Sequence, residues 1–374
     1  VGKVAGYWKG SHWPGEDGGP ARQGIPALEP APAMGKMRLA AHRQFFAADM
    51  LVRRDPGEWF LLRHTMAPDL FLGPTECWVE RIDPGDLSVV RESPRLAGGR
   101  FWAGSLAVHE TGDVLVVYGR HAHRLSADLE PKATRRLPAE RPYNGFVIRP
   151  DGTVVTKDCD TLEVSSPASL VLLDPETLED AAAPLDLGEP SIARLTLDGG
   201  DIICAGTEHV FRIGLVDGAL RVLDRVRYGG SPDHSYAWDP VVAGGRIWWM
   251  DNGQHDTHAS LKMAGVTPGP VRLWDAPVGD LSAARSTVIS GKRHGTITNP
   301  PAWDPVARQI VAYDSGGGVI RAWRVPEDEG PLERTWTRRD HWHGPHLIVL
   351  PERRELVTAD RRDPVVRSGS MKAS

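Results

Sequence analysis

Residues 341–346 read HWHGPH, three imidazoles and an indole within six positions. Neutral imidazole ligates Zn²⁺ or Fe²⁺, and imidazole also moves protons near neutral pH. The string belongs to no dense metal signature: HExxH and CxxC do not occur, and HDTH (255–258) has no helical context. Three ring nitrogens this close along one chain cannot all bind one ion without partners from elsewhere. The elements that would bring those partners together therefore have to be read first.

Short apolar runs punctuated by 40 Gly and 31 Pro, with little helical periodicity, indicate an all-β chain. Seven hairpins share one form, an apolar strand, a polar turn and a second apolar strand, for example SLAVHETGDVLVVYG, GFVIRPDGTVVTKD and PVVAGGRIWWMD. Their second strands start at Glu58, Asp113, Thr153, Asp201, Arg246, Gln309 and Glu355, at intervals of 40 to 63 residues. That spacing suits four strands per unit, and later turns such as LDPETLEDA and GLVDGALRV mark a second hairpin. The expected fold is a seven-bladed β-propeller of four-stranded antiparallel blades, one domain over 1–374, with blades beginning near 46, 102, 143, 191, 236, 299 and 345. The last unit is short, so an N-terminal strand from within 1–45, GKVAGYW or GKMRLAAHRQFF, is expected to close the ring.

In this topology the start of each inner strand and the end of each second strand share one face, termed here the upper face. The hairpin turns lie on the lower face. Five residues after the second-strand starts stand Arg63, Tyr118, Asp158, Gly206, Asp251, Asp314 and Asp360. Aspartates at this register either cap the next loop or ring a channel mouth with carboxylates. The inner-strand starts add Trp102, Tyr143, Asn144, His234, Tyr236, Trp238, Asn299, His341, His343 and His346. Long loops of the fifth unit bring His255, Asp256, His258, Lys292, Arg293 and His294 to the same face. The candidate catalytic residues are His64, Lys157, Asp158, His234, Asp251 and His346. The candidate substrate-binding residues are Arg63, Trp102, Tyr143, Asn144, Tyr236, Trp238, His255, Asn299, Asp314, His343 and Asp360. His64, His234 and His346 are the candidate metal ligands, for a divalent Zn, Fe or Ca ion. His109 falls near a hairpin turn and is assigned to the lower face.

Net charge is −5 with no long basic run, which argues against nucleic acid as a partner. No apolar run reaches a membrane-spanning length, and the first residues lack a signal-peptide core. Three scattered cysteines suit a reducing compartment, so a cytoplasmic location is expected.

The runs PDGTVVTKD, LLDPETLED and VRLWDAPVG resemble those of seven-bladed propellers of the quinoprotein-like, lactonase-like and WD-repeat groups. The resemblance covers nearly the whole chain and implies the fold. It carries over no site residue: only Trp274-Asp275 stands where a WD motif expects it, and the tryptophan-docking repeat is missing. The four inner histidines of carotenoid-cleaving oxygenases are not matched either. Mixed ionisable groups on one face point to an enzyme acting on an apolar or aromatic small molecule by lyase, isomerase or hydrolase chemistry, with or without a metal. A non-catalytic propeller binding a protein or peptide, and an oxygenase or other redox enzyme with His-ligated iron, are the alternatives.

Overall fold

The computed structural model describes residues 5–26, 41–43, 48–65, 74–100, 104–159, 166–229, 236–252, 270–291, 300–327, 330–342, 346–360 and 363–370. These form a β-propeller whose strands fall into seven antiparallel sheets, with no α-helix among the described residues. The second strands start at Trp59, Val114, Val154, Asp201, Arg246, Gln309 and Glu355, within one residue of the starts set by the repeat.

Each sheet begins at its inner strand and proceeds outward in chain order. The third, for example, runs Tyr143–Ile148, Val154–Asp158, Ser169–Leu173 and Leu185–Asp186. The first has five strands, because Val89–Glu92 and Leu96–Arg100 both pair with Pro74–Ile82. The inner two strands are the most apolar because both of their faces pack on neighbouring sheets. Every residue of Val114–Tyr118 is buried, as is every residue of Arg246–Met250. Toward the rim the pattern alternates, as in Pro131–Arg136, where one face meets water.

The last sheet holds three strands, Ile348–Leu350, Glu355–Asp360 and Asp363–Ser370, all from the C-terminal end. The described part of GKVAGYW, residues 5–8, does not join it: Tyr7 bridges to His109 at the end of the second sheet's inner strand. Most of GKMRLAAHRQFF lies outside the described residues, and its described part, 41–43, is not a strand.

Residues 5–26 instead run along the axis. The inner strands have one edge without a strand neighbour, and its amides need acceptors. The axial segment supplies its own carbonyls. Arg53 N donates to Trp13 O (2.8 Å), Val108 N to Pro14 O (2.7 Å), Leu197 N to Pro20 O (2.8 Å), Val242 N to Ala21 O (3.1 Å) and Val349 N to Gly24 O (3.0 Å). Ile148 N donates to the hydroxyl of Tyr7 (3.1 Å). Six of the seven sheets are thus tied to one strap. A Gly- and Pro-rich stretch suits this role, since it offers acceptors without forming a ladder of its own. Gly6 and Gly24 are needed where it presses closest: both have positive φ, and a Cβ would lie 2.1 Å from Arg149 O and 2.7 Å from Leu347 O.

Candidate functional site

The aspartates at the second-strand ends are spent on local structure. Asp158, Asp251 and Asp314 are fully buried. Asp158 accepts from Ser169 N (2.5 Å) and pairs with Arg141. Asp251 accepts from Arg272 N (3.1 Å) and Trp274 Nε1 (2.6 Å). Asp314 accepts from Gly317 N (2.6 Å) and Ser290 Oγ. Each carboxylate closes the loop that follows its strand, so the capping reading of this register describes all three. Lys157 is equally enclosed, its Nζ donating to Ser191 O (2.9 Å) and Asp158 O (3.1 Å).

Tyr143 and Asn144 are buried where the third inner strand begins. Burial pushes the Tyr143 phenol up to about 12, and its oxygen accepts from Ala139 N (3.0 Å). Asn144 donates to Ile192 O (2.5 Å), while its Oδ1 is buried without a hydrogen bond. Tyr236 and Trp238 form an edge-to-face pair 6.1 Å apart. Arg63 donates to Glu80 Oε1 (2.8 Å) beneath the Trp78 ring. His64 meets the Thr65 carbonyl at Nδ1 (3.0 Å) and Asp49 at Nε2 (3.4 Å). Burial works to lower the His64 pKa, but Asp49 and the carbonyl outweigh it and raise it above the ordinary imidazole value. His341 contacts Thr358 Oγ1 (3.1 Å). On the lower face, His109 sits between Thr111 Oγ1 (2.9 Å) and Gly152 O (3.1 Å). Trp102, His234, His255, Asn299, His343 and the side chain of Asp360 lie outside the described residues.

His346 has the arrangement that stands apart. Its Nδ1 lies 2.5 Å from Asp17 Oδ1, and its side chain is 33% exposed whereas that of Asp17 is 9%. Asp17 comes from the axial segment, at a left-handed φ of 51° in a single turn over Glu16–Gly18. Burial alone would raise its carboxyl pKa; the charges of His346 and Arg22 override that and hold it below 3.8. Arg22 anchors the turn, reaching Asp17 (2.7 Å), Glu16 (2.9 Å) and Asp239 (2.7 Å). Arg194 pairs with Glu16, and its backbone N donates to Asp239 Oδ1 (2.7 Å). Three carboxylates and two guanidiniums meet here, and the imidazole is the sixth ionisable member.

A buried carboxylate on one ring nitrogen orients an imidazole and leaves the other nitrogen to act, the arrangement that general acid/base catalysis uses. Of the candidate metal ligands, His64 is taken by Asp49, and His346 by Asp17. Glu16, Asp17 and His346 do present ligand atoms within 4.8 Å of one another. Both carboxylates are already engaged by Arg22 and Arg194, so a divalent ion would have to displace guanidiniums. The donor set fits an ion-pair cluster better than a metal centre.

Sequence reasoning reached His346 but not Glu16, Asp17, Arg22, Arg194 or Asp239. The available signal was the stretch WPGEDGGPARQG, an acidic pair and an arginine set among glycines and prolines with no strand pattern.

Comparison with known proteins gives the fold. No protein-family model matches the chain, and no curated protein matches it. Among solved structures, hydrazine synthase of Kuenenia stuttgartiensis is similar at TM-score 0.51 and 12% identity, over 83% of this chain and 95% of that one. The Pan2 WD40 domain of Neurospora crassa is similar at TM-score 0.50 and 11% identity, over 84% and 86%. A periplasmic gluconolactonase of Pseudomonas aeruginosa has TM-score 0.48 and 13% identity, over 75% and 82%. At such identities the likeness extends to the architecture alone, and the chain is a β-propeller with its own axial strap.

Proposed function

We propose that the protein is a small-molecule enzyme of the lyase, isomerase or hydrolase type, working by acid/base chemistry at the upper end of the axial channel with His346 as the proton-transfer group. The observation that carries this is the pairing of a one-third-exposed imidazole with a buried carboxylate at 2.5 Å. Asp17, kept ionised by its neighbours, fixes the ring and balances the charge it acquires when it takes a proton. Arg22 positions Asp17 and touches no substrate. Half-buried Trp238, next in sequence to Asp239 and backed by the buried ring of Tyr236, offers an apolar wall for an aromatic or aliphatic substrate.

The test is a turnover screen with lactones, esters and β-hydroxy acids, followed by variants on whichever substrate responds. His346→Gln is expected to lower kcat by about 100-fold or more, the usual contribution of a general acid/base. His109→Gln, on the lower face, should leave kcat unchanged. Full activity in His346→Gln would overturn the proposal.

A further inference from the structure

The sixth sheet carries a second concentration of charge, unrelated to the axial cluster. Its outer strands, Val319–Arg324 and Glu333–Arg339, pair with a one-residue bulge at Thr335. The register sets Val319 opposite Arg339, Arg321 opposite Thr337 and Trp323 opposite Arg334. Paired residues share a face. Arg321, Arg334 and Arg339 therefore project from one side, with Arg321 between the other two and the Thr337 hydroxyl beside it. Arg334, Thr337 and Arg339 are exposed, and Arg321 is half-buried.

None of these three arginines forms an ion pair among the described residues. Arginines on other outer strands do: Arg91 pairs with Glu130 (2.6 Å), and Arg135 with Glu179 and Asp180. The nearby acids are engaged elsewhere or turned away. Asp314, on the strand that pairs with that of Arg321 and on the same face, is held by Gly317 and Ser290. Glu333 pairs with Arg324 on the opposite face (3.7 Å), and Asp340 makes no ion pair with its neighbour Arg339. Arg321 Nε is buried without an acceptor. Burial first, and then the charges of Arg334 and Arg339, pull the Arg321 guanidinium below its ordinary pKa, against the opposing charge of Asp314. Like charges that outnumber the acid beside them repel one another, and a bound anion would relieve that repulsion.

We propose that this face binds a phosphate-bearing small molecule, a mono- or diphosphate group gripped by Arg321, Arg334 and Arg339 with Thr337 as a hydroxyl donor. The chemistry matches. Guanidinium forks give paired, charge-assisted hydrogen bonds to tetrahedral oxyanions, and Asp314, the acid on this face, is already held by Gly317 and Ser290. The site is independent of His346 and stands or falls without it.

The test is calorimetric titration of the full chain with inorganic diphosphate at low ionic strength, where charge pairing is least screened. Binding is expected, weakened about tenfold in Arg334→Gln and in Arg339→Gln, each of which loses a charge-assisted contact. Arg338→Gln removes an equal charge from the same strand but the opposite face, and should leave affinity unchanged. A nucleoside diphosphate that binds as tightly as diphosphate would show that the phosphates alone are recognised; tighter binding would add a contact to the nucleoside. Both outcomes support the site. Absence of diphosphate binding, or equal weakening by Arg338→Gln, would overturn it. Thermal transitions of the variants matching the parent establish that each is folded.

Discussion

The two ends of the axial channel are built by the same segment in opposite ways. At the lower end, residues 7–14 dock through backbone carbonyls, and the buried ring of Tyr7 packs among the apolar residues of the second and third sheets. At the upper end, residues 16–22 bring ionised side chains against Arg194, Asp239 and His346. The lower end buries a neutral ring, with the Tyr7 phenol pushed up to about 12 by burial. The upper end concentrates charge and leaves one imidazole in contact with solvent. Neutral burial secures the strap, and the secured strap makes it possible to hold buried charges in one geometry.

The contrast can be broken most completely by removing residues 1–26. Six inner-strand edges would lose acceptors at once, and the expected outcome is loss of a single cooperative thermal transition, read by circular dichroism. Next in size is Arg22→Ala. It takes the shared guanidinium away from three buried carboxylates, and a loss of about 3–5 kcal/mol in denaturant unfolding is expected at pH 7. Tyr7→Phe should cost less, about 1–3 kcal/mol, because it strands only the Ile148 amide. The two variants should also differ in kind. The Tyr7→Phe loss should be constant from pH 5 to pH 8, while the upper end responds to acid.

The sign of that response follows from Asp17. Its folded pKa lies below the unfolded value of 3.8, so its contribution is present in full above that value and is lost as pH falls through the folded one. Parent and Asp17→Asn stabilities should therefore converge in acid, measured by urea midpoints from pH 5 downward. His123 adds a separate acid sensitivity in the second sheet. Burial lowers its pKa from 6.5 to about 4, so stability present above pH 6.5 is lost as pH falls toward pH 4. An effect on the order of 3 kcal/mol is expected, absent in His123→Gln.

The blades were legible because their information is local. Val114–Tyr118 and Arg246–Met250 announce themselves as apolar runs beside turn residues, and the second-strand starts follow from the turns. The aspartates at Asp158, Asp251 and Asp314 were legible as a register, but the same register serves a cap or a catalytic ring, and only their bonding partners separate the two. The axial segment was not legible. Its hydrogen bonds go to six different sheets, and its conformation has no period to detect. Asp17 and His346 meet from opposite ends of the chain, and nothing near either residue names the other. Of the two stretches expected to close the ring, the described part of GKVAGYW, residues 5–8, belongs to the axial segment, and most of GKMRLAAHRQFF lies outside the described residues.

The central claim is that Asp17 and His346 act as one unit. A double-mutant cycle on unfolding free energy at pH 7, with Asp17→Asn, His346→Gln and the pair, measures this directly. The account predicts a coupling of about 1 kcal/mol or more, as expected for two residues in direct contact. Losses that add to within about 0.3 kcal/mol would mean that the two residues are independent, and would contradict it.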